Sequence, residues 1–71
     1  MLEKAIVYTQ PGCPYCRAAM DDLRRRGVPF EEKDVTTDDA ALVEMLRLSG
    51  GEAVVPVIVQ GGEVTVGFGG G

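Results

Sequence analysis

The chain has 71 residues, enough for one domain, with 45% hydrophobic and 25% charged residues and a net charge of -4. That balance is globular. It excludes several classes: no apolar run approaches the ~20 residues of a membrane span, the start Met1-Leu2-Glu3-Lys4 lacks a signal-peptide profile, and an acidic chain gains nothing from a phosphate backbone. Two cysteines and no histidine cannot alone make a four-ligand zinc site.

In chain order, Ala5-Ile6-Val7-Tyr8 is a short run of β-formers and predicts a buried strand. Thr9-Gln10-Pro11-Gly12 breaks it as a turn. A helix starts at Pro14, whose missing N–H costs nothing in a first turn. Cys16, Ala19, Met20 and Leu23 form its apolar stripe, and Gly27 and Pro29 stop it. Phe30 to Val35 predicts a second strand. Its charges, Glu31, Glu32, Lys33 and Asp34, suit a sheet edge, where they block stray pairing.

Thr36-Thr37-Asp38-Asp39 offers caps for a second helix, with Leu42, Met45, Leu46 and Ser49 on its inner face and Gly50-Gly51 at its end. Val54 to Val59 is the most hydrophobic stretch and predicts a central strand. Gly61-Gly62 turns the chain back into a fourth strand, Glu63 to Val66, and the Gly-rich tail is loop. The first half is a βαβ unit with parallel strands, the second a helix followed by a hairpin.

The chemistry lies in the cysteines. Cys13 and Cys16 are three positions apart, so a bridge between them closes a tiny loop and removes little chain entropy. Redox or metal chemistry explains the pair better than a staple. Cys13 falls between strand and helix, where free N–H groups and the helix dipole favour thiolate over thiol. Cys16 lies almost one turn on, on the apolar stripe. Cys13 is thus the attacking thiol and Cys16 the resolving thiol.

Arg17 either adds positive charge beside the sulfur or is a solvated helix residue, the commoner case. Tyr15 either flanks the sulfur or is a half-exposed ring. Pro56 interrupts a strand that should exclude it; read from the residues alone, it is an ordinary trans proline at a strand start. Phe68 is a packing anchor or a partner contact.

The segment Tyr8-Thr9-Gln10-Pro11-Gly12-Cys13-Pro14-Tyr15-Cys16 resembles the active site of glutaredoxins. Gly27-Val28-Pro29-Phe30-Glu31-Glu32, Asp34-Val35-Thr36 and Val54-Val55-Pro56 resemble that family's later landmarks, at matching spacing. The resemblance implies an α/β, thioredoxin-like fold: βαβαββ with a four-stranded mixed sheet of order 2-1-3-4, flanked by helices, without the family's usual third helix. It also implies a cis Val55–Pro56 bond beside the cysteines.

By the same resemblance the function is thiol–disulfide exchange on protein disulfides or glutathione mixed disulfides, with no bound cofactor or metal and glutathione as a co-substrate. Glutathione would pair with Val55 and carry its sulfur to Cys13. Tyr8, Gln10, Val55, Pro56, Gly67 and Phe68 are then substrate-binding residues, and Pro11, Gly12, Pro14, Tyr15 and Arg17 flank the active site. Two departures weigh against glutathione: Gln10 stands where the family often has Lys, and Val66-Gly67-Phe68-Gly69-Gly70 lacks an acidic pair. Gly67-Phe68 instead looks like redoxins that serve ribonucleotide reductase and draw on thioredoxin reductase. The expectation is one domain over residues 1–71, a cytoplasmic monomer. An iron–sulfur carrier using Cys13 in a dimer is the alternative.

Overall fold

A computed structural model describes residues 4–67. The elements are β1 (Ala5–Thr9), α1 (Pro14–Arg25), β2 (Phe30–Asp34), α2 (Asp39–Leu48), β3 (Val57–Gln60) and β4 (Glu63–Val66). They build a four-stranded sheet in the order β2-β1-β3-β4. β1 runs parallel to β2, with Ala5 opposite Phe30, and antiparallel to β3, with Val7 opposite Ile58. β3 and β4 close an antiparallel hairpin. The fold and strand order are those expected.

Alternation along β1 divides the core in two, because successive side chains leave a strand on opposite faces. Tyr8, Val35, Ala41, Met45 and Val57 pack together, with Ile6 against them, on the α2 side. Ala5, Val7, Leu23 and Val28 pack together with Met20 and Phe30 on the α1 side. One helix therefore covers each face, and β1 lies inside the sheet. The charged β2 occupies an edge, where Lys4 bridges Glu31 at 2.8 Å and Lys33 bridges Glu44 at 3.3 Å.

The helix ends follow local chemistry. Asp38 caps α2, its carboxylate accepting from the Ala41 N–H at 3.2 Å. At the other end of α1 the Val28 N–H donates to the Leu23 carbonyl and the Gly27 N–H to the Arg24 carbonyl. This is a Schellman closure, completed by contact between Leu23 and Val28 in the core. It needs Gly27 at φ 72°, and a Cβ there meets nothing within 4 Å. The cost of a side chain is thus backbone strain alone. Gly27→Ala should lower unfolding free energy by about 1 kcal/mol in a urea titration.

Three expectations shift in detail. The strand predicted from Val54 begins only at Val57, because Pro56 has no N–H to donate to a ladder. Val54 is instead exposed and Val55 half-buried. On α2, Ala41 joins Met45 as a fully buried residue, while Leu42 and Leu46 are half-buried. Ser49 is the C-cap rather than a core position.

Candidate active site

The site forms where β1 hands over to α1. Gly12 takes φ 76°, a left-handed conformation that suits glycine, and Cys13 follows with an extended backbone as the N-cap of α1. Pro14 occupies the first helical position. The Cys13 sulfur accepts a hydrogen bond from the Cys16 N–H at 3.2 Å. It thereby satisfies one of the free donors of the helix end. Both cysteines are free thiols.

Their surroundings differ sharply. Cys13 is half-buried and lines a cleft, whereas Cys16 is only 2% exposed. Burial, followed by the hydrogen bond with Cys13, pushes the Cys16 thiol up to about 12. Cys16 is therefore held in its protonated form at neutral pH. A stability consequence follows, with its sign set by linkage. The folded value lies above the ordinary 9.0, so the folded state favours the protonated thiol. This contribution is complete below about 9 and is lost as pH rises towards about 12. Burial raises the Tyr8 phenol in the same direction. The reduced protein should show a falling urea midpoint from pH 9 to 10.5, and Cys16→Ala should flatten that slope.

The cleft has a volume of about 490 Å³. Gln10, Gly12, Cys13 and Pro14 form one side of its lining, Val55 and Gly67 contribute from the other segments. These expected site residues are brought together by the fold. The Val55–Pro56 bond is cis, as the resemblance implied and contrary to the reading of the residues alone. Pro56 is buried, and its carbonyl accepts from the Gly67 N–H at 2.8 Å, which ties the end of β4 to the loop before β3.

Tyr8 stands elsewhere, and three of the flanking residues border the cysteines in the chain without lining the cleft. Tyr8 is 2% exposed in the core on the α2 side, with its hydroxyl donating to Glu44 at 3.4 Å. It does not line the cleft: strand alternation turns it to that core face. Pro11, Tyr15 and Arg17 are exposed and lie outside the cleft lining. Arg17 takes part in the helix by donating its backbone N–H to the Cys13 carbonyl. Phe68 lies outside the described residues.

Glu52, Ala53, Val54 and Val66 also line the cleft and were not singled out as binding residues. The only sequence signal for the first three was their place just before Val55-Pro56, in a loop that α2 and its terminal glycines project towards the cysteines. Among the described residues, no helix is long and apolar enough to cross a membrane.

Comparison with known proteins agrees with this geometry. The hybrid peroxiredoxin hyPrx5 of Haemophilus influenzae is 36% identical over 59 residues, 83% of this chain but 24% of that protein. The chain thus spans about a quarter of that relative. The crystal structure of glutaredoxin grx-1 from Archaeoglobus fulgidus superposes with a TM-score of 0.81 at 27% identity, covering 96% of this chain and 77% of the other. The glutaredoxin-like NrdH-redoxin of Escherichia coli, whose structure is described as the basis of a thioredoxin-like activity profile, gives 0.78 at 31% identity, covering 92% and 83%. The glutaredoxin family model matches residues 5–65, the stretch that carries all of the sheet but Val66, both helices and both cysteines, and the chain belongs to the glutaredoxin family.

Proposed function

We propose that the protein reduces protein disulfides by dithiol exchange, with Cys13 as nucleophile and Cys16 as resolving thiol. The observation that carries this reading is the asymmetry of the pair. Cys13 opens onto the cleft at a helix N-terminus, and Cys16 sits behind it, buried and protonated.

In the first step the Cys13 thiolate attacks one sulfur of the substrate disulfide. A bond forms between Cys13 and that sulfur, the substrate S–S bond breaks, and the other substrate sulfur leaves and takes a proton. In the second step Cys16 gives up its proton and attacks the Cys13 sulfur. The Cys13–Cys16 disulfide forms and the second substrate thiol leaves. Two electrons have then passed from the protein to the substrate, with one proton from Cys16 and the other, equal to the one Cys13 lost on ionising, taken from water.

The oxidised protein must be reduced again, by glutathione or by a thioredoxin reductase. Neutral Gln10, and the thioredoxin-like profile described for the NrdH-redoxin neighbour, favour the reductase. The dithiol form is the one that a reducing compartment such as the cytoplasm maintains.

The test is electron supply. Oxidised protein is given NADPH with thioredoxin reductase, or NADPH with glutathione and its reductase, and a protein disulfide as acceptor. NADPH consumption is expected with the first pair. Consumption only with the second would correct the donor. Silence in both, with visible absorbance after anaerobic purification, would turn the assignment towards a cluster carrier.

A further inference from the structure

The charge of the cleft is one-sided. Among the described residues that line it, Glu52 alone carries a charged side chain, and Gln10 is neutral. Glu52 forms no salt bridge among the described residues; the carboxylates that do are Asp21, Asp22, Glu31 and Glu44. Its backbone is held from behind. The Ser49 hydroxyl, at the C-cap of α2, donates to the Glu52 carbonyl at 2.6 Å. The residue is exposed, so its carboxylate is available to an incoming chain. The neighbouring walls are aliphatic and open to solvent, with Val54 38% and Val66 43% exposed.

We infer that Glu52 is a specificity-determining residue that selects cationic disulfide substrates. The preferred substrate is a polypeptide disulfide with Lys or Arg next to the attacked cysteine and aliphatic residues nearby. This inference rests on the redox reading above. Two charges act on such a substrate. Glu52 attracts its cation directly, and attack by Cys13 spreads negative charge over the reacting sulfurs, which the same cation also stabilises. A substrate carboxylate is repelled by both. Exposed charge pairs contribute modestly and are screened by salt, so the effect is a preference in kcat/KM rather than an absolute filter. Val54 and Val66 offer contact area but no sign of charge, which leaves discrimination to Glu52.

The test uses pre-reduced full-length protein, freed of excess reductant, and two synthetic peptides with one internal disulfide each. The peptides are identical except that Lys flanks the first cysteine in one and Glu in the other. Each reaction passes two electrons from the protein dithiol to the peptide, so no donor enters the assay. The parent should reduce the Lys peptide roughly fivefold faster than the Glu peptide at low salt. Glu52→Gln should bring the ratio near one, and Glu52→Lys should invert it. Near 1 M salt the parent's ratio should also approach one. A variant that merely disturbed the loop would slow both peptides and leave the ratio unchanged. Equal rates with the parent, or a ratio insensitive to Glu52, would overturn this inference while leaving the dithiol mechanism standing. If the parent reduces neither peptide nor a protein disulfide, the redox reading itself falls, and the inference with it.

Discussion

Cys13→Ser should reduce protein disulfides no faster than the uncatalysed background, a loss of about a thousandfold or more. A hydroxyl in the same place still accepts the Cys16 N–H, so the helix keeps its cap. What is lost is the sulfur that forms the mixed disulfide. Cys16 cannot take over: it is 2% exposed and its thiol is held up to about 12. Cys16→Ser has a different outcome. Attack by Cys13 proceeds, but release by the protein's own second thiol does not. A mixed disulfide should accumulate to one substrate chain per protein, visible by mass spectrometry and cleared by added thiol. Turnover on protein disulfides should stop, while exchange with a small-thiol mixed disulfide persists. Parent-like turnover in both variants would remove the cysteines from the mechanism.

The second large effect concerns stability. Leu23→Ala should cost about 2–5 kcal/mol, by loss of buried surface and the cavity left behind. Leu23 is 1% exposed and joins α1 to Ala5, Val7 and Val28. It also supplies the carbonyl that accepts the Val28 N–H at the helix end, so the side chain and the closure of α1 meet at one point. A domain this short has a small core, and total stability for single domains is about 5–15 kcal/mol. The loss is a large fraction of that and should lower Tm by at least roughly 10 °C. Val64→Ala, on the exposed outer strand β4, should stay within about 0.5 kcal/mol of the parent. Thermal unfolding of both variants, followed by circular dichroism, separates a core built around β1 from one spread evenly over the sheet. Similar midpoints for the two would contradict the packing described.

How much of this was legible in the chain depends on the range of the interaction. The placement of Cys13 at the helix N-cap and of Cys16 behind it was readable because it rests on neighbours in sequence: a turn, Pro14 at a helix start, and a second cysteine almost one helical turn on. The Gly27 stop, the Asp38 cap and the charged edge strand were readable for the same reason, since each acts within a few residues. The order of the strands followed from the βαβ unit and hairpin together with the family resemblance.

Packing decided the rest. Whether Tyr8 faced the cleft or the core depended on which face of β1 met α2. The apolar stretch from Val54 looked like one strand, yet the Pro56 nitrogen lacks a donor, so only Val57 onward joins the sheet and the preceding valines line the cleft. Glu52 carried no local signature. It became part of the site because Ser49, at the end of α2, ties its backbone in place, and Glu52 lines the same cleft as Cys13, a cysteine 39 positions earlier. Local hydrogen bonding chose the elements and placed the cysteine pair, while the docking of α2 onto the sheet brought the cleft's second wall, with the one charged side chain among its described residues, towards the sulfur.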